Sequence, residues 1–265
     1  MLRGFIYYWN IFAITLKNNF VNEFIYRTNF FAMTLADLVW IAIEASFFEI
    51  IYSNINSING WTKPETFFFL GVFISSDTLF TIFFQRSFWQ FPALINQGEL
   101  DILLTKPANT VFLACFRYIN LSQTSNLFLG FWIIHHYGPS AGFKGGLSWL
   151  TVGGWIMVGL VAQFLLRFGF LVWTFWLERG ISTSMLYYQF YALANKPDGI
   201  YPKLFRFLIK TILPFAFIGS VPSQMILGKA NPSDFAFLFL SLGTYALGCR
   251  FLWKRGLLRY QSASS

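Results

Sequence analysis

The stretch FFAMTLADLVWIAIEASFFEIIY, residues Phe30–Tyr52, decides the fold. It runs for 23 residues, and its three charged residues are all acids, Asp37, Glu44 and Glu49. A helix of this length rises about 34 Å, and roughly 20 mostly apolar residues suffice to cross the hydrocarbon core of a bilayer. The stretch therefore predicts a transmembrane helix.

The composition of the whole chain agrees with this. Of its 265 residues, 56% are hydrophobic, 22% are aromatic and 11% are charged, whereas a soluble domain carries about 25% charged residues. The net charge of +8 does not indicate a nucleic-acid partner, because the basic residues lie at the edges of apolar blocks and form no stripe. Cys115 and Cys249 lie inside apolar blocks and suggest neither a disulfide framework nor a metal site.

Six apolar blocks are long enough to be candidate spans. They are Phe30–Tyr52, Phe67–Phe84, Val111–His135, Leu150–Trp176, Phe207–Met225 and Phe235–Trp253. Six spans place both termini on one side, and that side carries fifteen of the Lys and Arg residues against three on the other. The positive-inside rule then predicts cytoplasmic termini in a multi-pass protein of the inner or plasma membrane. The fifteen are Arg3, Lys17, Arg27, Arg86, Lys106, Arg117, Arg179, Lys196, Lys203, Arg206, Lys210, Arg250, Lys254, Arg255 and Arg259, and the three are Lys63, Lys144 and Lys229.

The segment before the first span has apolar and aromatic residues at helical spacing. Residues 1–28 are predicted to form a helix lying in the cytoplasmic interface of the bilayer, with an ordinary packed helix as the alternative. The predicted fold is therefore an all-α integral membrane protein of one domain, residues 1–265, with six transmembrane helices preceded by an interfacial amphipathic helix.

A charged decapeptide, GELDILLTKP, residues Gly98–Pro107, interrupts this apolar chain in a loop at 86–109. Glu99 and Asp101 at the start of a short helix favour the positive end of its dipole, and Pro107 ends it. Leu100, Ile102, Leu103 and Leu104 can form its apolar face. Considered physically, the segment is either a rigid helix that another protein grips or a solvated connector.

Three stretches resemble permeases of ABC transporters of the second type, ABC-2, in the family that includes viologen exporters and other exporters. They are GELDILLTKPANTVF after the second span, LPFAFIGSVPSQMILG at Leu213–Gly228, and FLWKRGLLRYQSASS at Phe251–Ser265. In such permeases the first cytoplasmic loop holds a coupling helix that docks on a separate ATPase subunit. The resemblance implies this role for Gly98, Glu99, Leu100, Asp101, Leu103, Leu104, Lys106 and Pro107.

The resemblance also implies the partners. The chain has no G-x-x-x-x-G-K-[ST] phosphate loop, so ATP and Mg would be bound by the separate ATPase subunit and no cofactor by this chain. A second permease, an identical copy or a sister chain, would complete the translocation path. No catalytic residue and no metal ligand is predicted, and His135 and His136 are expected to lie at an interface.

Ionisable residues inside the predicted spans need partners, because Asp or Arg at mid-bilayer costs on the order of 3 kcal/mol. Counted from the cytoplasmic ends of their spans, Asp37, Asp77 and Arg167 lie at a similar depth, about 10–14 Å. Glu44 shares a helix face with Asp37. We therefore predict an intramembrane polar cluster of Asp37, Glu44, Asp77 and Arg167, either as an ion pair that fixes helix packing or as part of a transport path.

Pro and Gly residues cluster near the end of the predicted fifth span. Pro214, Gly219, Pro222 and Gly228 predict a broken, re-entrant outer elbow at 219–233, with a simple Pro kink as the alternative. The stretch Ile181–Ala194 is predicted to lie along the cytoplasmic surface.

The function predicted from all this is the membrane permease subunit of an ATP-driven exporter. The alternatives are a non-transporting scaffold or assembly factor and, less favoured, a membrane-embedded transferase, for which the sequence supplies no cluster of catalytic residues.

Overall fold

The structure, a computed structural model, describes residues 2–25, 27–177 and 180–260, and these are almost entirely helical. A two-stranded antiparallel hairpin pairs Ser57–Ile58 (β1) with Trp61–Thr62 (β2). The α-helices are α1 Leu2–Ile25, α2 Arg27–Asn54, α3 Lys63–Phe80, α4 Arg86–Asn96, α5 Glu99–Leu104, α6 Thr110–Cys115, α7 Thr124–Ala141, α8 Ser148–Val172, α9 Gly180–Tyr191, α10 Lys203–Thr211, α11 Ser220–Ile226 and α12 Pro232–Arg259.

Four helical stretches among the described residues are long and apolar enough to cross a membrane. They are Phe30–Asn54, Lys63–Asn96, Ser148–Phe175 and Pro232–Arg259, and they contain or nearly coincide with the first, second, fourth and sixth predicted spans. The second is longer than predicted because α3 continues through a π-helical turn at Thr81–Gln85 into α4. Its 34 residues rise about 51 Å, so this helix extends well beyond a hydrocarbon core about 30 Å thick.

The two ends of the helix bundle differ in the secondary-structure elements that they carry. One end, here called the hairpin end, carries β1 and β2; the other, here called the α5 end, carries α5. The C-terminal Tyr260 lies at the α5 end, where its ring meets Phe175, and Tyr8 of α1 lies there as well, accepting a hydrogen bond from the backbone N–H of Asn109. The described parts of both chain termini therefore lie at the same end.

The third predicted span, Val111–His135, is not one helix. The chain leaves helical geometry between α6 and a 3₁₀ turn at Leu121–Gln123, and the long helix is α7, which starts at Thr124. The irregular stretch keeps its backbone bonded, because the π turn frees the carbonyl of Ile82 to accept from Asn120 N–H at 2.8 Å. The prediction was wrong about the start of the helix because NLSQTSN, residues 120–126, lies within an otherwise apolar run.

The fifth predicted span, Phe207–Met225, is also wrong. It consists of the end of α10, a 3₁₀ turn at Phe215–Phe217 and α11. Both limbs of this segment return to one carboxylate, since Asp198 binds Lys210 Nζ at 3.3 Å and Gln224 Nε2 at 2.8 Å. A segment that starts and finishes at the same place does not cross a bilayer.

The chain passes from the α5 end to the hairpin end between residues 180 and 200 instead. Tyr188 of α9 stacks on Trp89 at 5.6 Å between ring centroids, and Gly199 accepts a hydrogen bond from Asn59 Nδ2 beside the hairpin at 2.8 Å. The predicted surface position of Ile181–Ala194 is therefore wrong: Tyr187 is buried against Phe170 and Phe215. The rings of Tyr187, Tyr188 and Tyr191 face the apolar core of the bundle.

This change of path moves four cations to the other end. Arg206 donates to the backbone carbonyls of Asp198 and Gly199 at 3.1 Å each, so the stretch 196–210 lies at the hairpin end. Without Arg179, which lies outside the described residues, the predicted balance of fourteen cations against three becomes ten against seven. The excess at the α5 end is smaller but keeps its sign.

The bundle is built around α3, which packs closely on α7 through two glycines. A Cβ on Gly71 would lie 2.9 Å from the carbonyl of Gly130, and a Cβ on Gly130 would lie 2.4 Å from Ser75 Oγ. Neither position has room for a side chain. Small residues allow membrane helices to approach closely, and this contact fixes the position of α7 on α3.

Candidate functional site

The helix α5 is the core of the first candidate site, and it is braced against the bundle. Its N-cap, Gly98, has φ 74°, a left-handed conformation that favours glycine. Leu100 and Leu103 are buried in an apolar cluster with Phe91 and Ala114. Glu99 Oε2 pairs with Arg117 Nη1 at 2.9 Å. The chain therefore turns sharply at Gly98 and fixes one face of α5 on α4 and α6.

Two apolar side chains of α5 remain exposed. Ile102 is 61% exposed and Leu104 is 42% exposed, and Thr105, Lys106 and Pro107 are exposed beside them. The four apolar residues that were expected to share one face therefore divide into two pairs, because Leu100 and Leu103 point inward. The result is a small apolar and basic surface on a rigid support.

The second acid of this segment, Asp101, faces the end of the last helix. Its carboxylate approaches the hydroxyl of Tyr260, and burial together with this negative charge raises the pKa of Tyr260. Glu99 and Asp101 thus make contacts within the chain. Residues 261–265, part of a stretch that carried the family resemblance, lie outside the described residues, as does Arg179.

A large cavity between α2, α3 and the start of α7 is the second candidate site. It encloses about 1110 Å³. Asp37, Glu44 and Asp77 all line it, and Arg167 does not. The other polar lining residues are Asn19, Thr78, Thr81, Gln85, Arg86, Gln90, Asn120, Ser122, Gln123, Asn126 and Asn195. Such a lining is unusual for a chain of this composition, and it lies among predicted membrane spans.

A chain of amides leads to Asp37. Asn126 Nδ2 donates to Gln123 Oε1 at 2.8 Å, and Gln123 Nε2 donates to Asp37 Oδ2. The orientation of each amide follows from the Asp37 carboxylate, because an ionised carboxylate accepts hydrogen bonds and donates none. This series of hydrogen bonds ends in Asn126 Oδ1, a buried oxygen that has no hydrogen-bond partner among the described residues.

Asp77 is held by different neighbours. Gln163 Nε2 of α8 donates to Asp77 Oδ1 at 2.7 Å, and the hydroxyl of Tyr191 at the end of α9 donates to the same oxygen. These contacts tie α3 to α8 and α9, so Asp77 joins three helices without a cation in direct contact.

Arg167 lies among aromatic rings rather than in an ion pair. Its Nη1 donates to Gln85 Oε1, and its Cζ lies 5.0 to 5.9 Å from the ring centroids of Phe80, Phe88, Trp89, Tyr187 and Tyr188. Among the salt bridges of the described residues, none joins it to Asp37 or Asp77. The predicted single cluster is therefore divided, because charge spacing gives no information about aromatic neighbours.

The remaining acids of α2 lie towards the hairpin end. Glu44 faces Asn195 and the positive charge of Lys196. Glu49 pairs with Lys63 at 2.5 Å in an exposed ion pair. Glu49 therefore lies outside the cavity that Asp37 and Glu44 line.

A buried ion triad holds the segment 203–228 at the hairpin end. Lys210 Nζ lies 3.3 Å from Asp198 Oδ2 and 3.0 Å from Asp234 Oδ1. The four residues predicted for an elbow lie in this segment: Pro214 and Gly219 flank the 3₁₀ turn at Phe215–Phe217, Pro222 lies in α11, and Gly228 follows it with φ 68°. A Cβ on Gly219 would lie 2.8 Å from the ring of Phe69.

Neither histidine forms a metal-binding geometry. His136 stacks on Trp132 at 5.2 Å and His135 on Trp149 at 6.3 Å between ring centroids. Within residues 2–25, 27–177 and 180–260, no three His, Cys, Asp or Glu side chains converge closely enough to hold a metal ion.

Several residues of these sites were missed from the sequence. Gln123 and Asn126 belong to the polar run NLSQTSN, and that run inside a predicted span was the available signal. Tyr191, Asp198 and Asp234 gave no comparable signal, because their partners come from distant parts of the chain.

Comparison with known proteins gives one match. The model of a family described as "ABC-2 family transporter protein" matches residues 38–264. No curated protein and no solved structure matches the chain significantly.

Proposed function

Because the chain belongs to the ABC-2 transporter family and is a membrane permease component, we propose that it couples to a separate ATPase subunit through α5 and forms half of a path for export. ATP and Mg are bound by that ATPase, and this chain catalyses no reaction itself. The proposal takes α5 as the contact with the ATPase and the cavity as the path.

The exposed surface of α5 is the observation that carries this proposal. Ile102 and Leu104 present apolar side chains at the α5 end, while buried Leu100 and Leu103 and the Glu99–Arg117 ion pair hold the helix in place. Exposed apolar residues on a fixed support are typical of protein contacts. A push on α5 would pass to α4 and α6, because the helix cannot slide independently of them.

The cavity supports the second half of the proposal. Its floor is α3, the most buried of the four long apolar helices, and its wall α2 contacts the bundle through one narrow stripe, leaving Leu35, Trp40 and Ile43 exposed. A second permease, identical or a sister chain, would cover this side and complete the path.

The orientation follows from charge. Among the described residues, ten cations at the α5 end against seven at the hairpin end favour a cytoplasmic α5 end in the inner or plasma membrane. The ATPase, ATP and both chain termini would then share one compartment. Residues 1–28 would lie at this surface, and Phe12 of α1 packs on Phe83 and Phe116 beside α6.

The test is co-purification of an ATPase with the tagged full-length chain from its native membrane. We expect Ile102→Asp combined with Leu104→Asp to remove the ATPase, because two charges would be buried in the contact. The matched control is Leu147→Asp, since Leu147 is 86% exposed in the loop before α8, at the hairpin end. These substitutions spare Glu99 and Asp101, whose contacts lie within the chain.

Two results would contradict the proposal. One is the absence of any ATPase from the wild-type preparation. The other is equal retention of the ATPase by the α5 variant and by the control, which would make α5 a connector. A second permease, if present, would appear in the same preparation.

A further inference from the structure

The cavity has more hydrogen-bond acceptors than its own donors satisfy. Asp37, Glu44 and Asp77 supply three carboxylates, and Arg86 is the one Lys or Arg among the described lining residues. The guanidinium of Arg86 lies 5.2 Å above the ring of Tyr118. The positive charge of Lys196 attracts Glu44, and that of Arg167 attracts Asp77. Asp37 has no cationic side chain within 4.0 Å among the described residues.

The unpartnered oxygen of Asn126 provides an independent observation. Asn126 is 5% exposed and lines the cavity, and its Oδ1 accepts no hydrogen bond from the part of the chain that the structure describes. It cannot rotate to solve this, because its Nδ2 is committed to Gln123, which in turn donates to Asp37. A buried hydrogen-bond acceptor without a donor is unfavourable, so binding of a ligand that donates a hydrogen bond to this oxygen would be favourable.

The size and walls of the cavity indicate what kind of donor fits. A volume of about 1110 Å³ suits an organic molecule. Trp40 and Trp89 line the same space, and indole faces attract cations. The acceptors are therefore surrounded by surfaces that suit a positively charged group with an apolar body.

We propose that this cavity binds its transported ligand through a protonated amine, whose N–H groups donate to Asp37 and to Asn126 Oδ1. This rests on the proposed permease function, because it names the ligand chemistry of the same path. It distinguishes an amine from a quaternary ammonium of equal charge, since only the amine has N–H donors for the Asn126 oxygen. Such an amine has two sources, a soluble compound and the headgroup of an aminophospholipid, and the experiment below separates them.

The test measures binding directly on the full-length chain, purified with its native partners into phosphatidylcholine nanodiscs. The probe is dansylcadaverine, a fluorescent primary amine, compared with its N,N,N-trimethyl analogue and its neutral N-acetyl analogue. We expect the amine to bind most tightly, the trimethyl analogue more weakly and the acetyl analogue weakest.

Variants assign the contact to its residues. We expect Asp37→Asn to weaken binding of the amine about tenfold or more, because a hydrogen bond to a charged group is lost. Asn126→Leu should weaken the amine and leave the trimethyl analogue unchanged. Glu49→Gln is the matched control and should change neither, because Glu49 pairs with Lys63 outside the cavity.

The source of the amine is settled by the lipid. If phosphatidylethanolamine in the nanodisc competes with the probe, the headgroup is the ligand; if it does not, the ligand is soluble, and both results support the amine contact. Equal affinity for the amine and its acetyl analogue, or an unchanged affinity in Asp37→Asn, would overturn the proposal. Because binding needs no ATPase, such a failure is separate from a failure of ATPase co-purification.

Discussion

The ion triad at the hairpin end allows one prediction to be worked through in detail. Replacing Lys210 with Met keeps most of the side-chain volume and removes the charge. The side chain of Lys210 is 10% exposed, and the side chains of Asp198 and Asp234 are each 3% exposed. In Lys210→Met, the Asp198 carboxylate keeps the neutral donor Gln224 Nε2. Ser220 Oγ does not replace the lost charge, because it accepts a hydrogen bond from the Asp198 backbone N–H.

The expected magnitude follows from that burial. Removing one partner of a buried ion pair leaves an uncompensated charge and costs about 3–5 kcal/mol. For a chain of this size, such a loss lowers the midpoint of thermal unfolding by on the order of 10 °C. The segment 203–228 should be affected first, because Lys210 joins it to both Asp198 and α12.

The assay is thermal unfolding of the purified chain in nanodiscs. The measured quantity is the fraction of the protein that remains monodisperse after heating to each temperature. The matched control is Lys63→Met, which removes the same charge from an exposed pair whose side chains are 41% and 55% exposed and should cost about 1 kcal/mol or less. The triple variant Lys210→Met, Asp198→Asn, Asp234→Asn should recover part of the loss, since it leaves no unpaired charge.

A loss in Lys210→Met no greater than in Lys63→Met would refute this reasoning. It would mean that Asp198 and Asp234 are solvated, and that the segment 203–228 is not held by this triad.

Three further predictions concern contacts in the rest of the bundle. Gly130→Val should destabilise the chain strongly, because its side chain would meet Ser75 and the backbone of α3, whereas Gly153→Val should not destabilise it, since nothing lies within 4 Å of a Cβ there and Val is a better helix former than Gly; the same thermal assay compares them. Arg167→Leu should be milder than Lys210→Met, by about 1 kcal/mol or more, because it removes cation–π contacts and leaves no carboxylate without its ion-pair partner; an equal loss would indicate that Arg167 pairs with an acid. Burial and the nearby Asp101 raise the pKa of Tyr260 above 10.0, so the stability from the neutral phenol is fully present below pH 10 and is lost as the pH rises through the higher value. Tyr260→Phe should remove the loss that sets in as the pH rises above 10.

The sequence predicted best where an apolar run was long and uninterrupted. Phe30–Tyr52 lies within the observed Phe30–Asn54, because about 20 consecutive apolar residues admit few other structures in a chain with so little charge. The run at 207–225 passed the same length test and failed, because hydropathy does not distinguish a crossing helix from a segment that doubles back. Lys210 in its middle was the available signal, but its two partners are separated from it by 12 and 24 residues.

The cavity shows a similar limit. Depth along a span can be counted from the sequence, and Asp37 and Asp77 do line one space. The rotation of each helix about its axis and the path of the chain after it do not follow from such a count. Tyr191 reaches Asp77 only because 180–200 crosses the bundle, and Arg167 finds five rings that arrive from α3, α4 and α9.

The last helix connects the two ends of the molecule without a joint. Its 28 residues rise about 42 Å with proline only at the first position. Asp234 at one end belongs to the ion triad, and Tyr260 just beyond the other end lies beside Asp101 of α5. The helix is therefore a continuous structural link between α5 and the ion triad at the opposite end of the bundle, and this link does not run through the cavity.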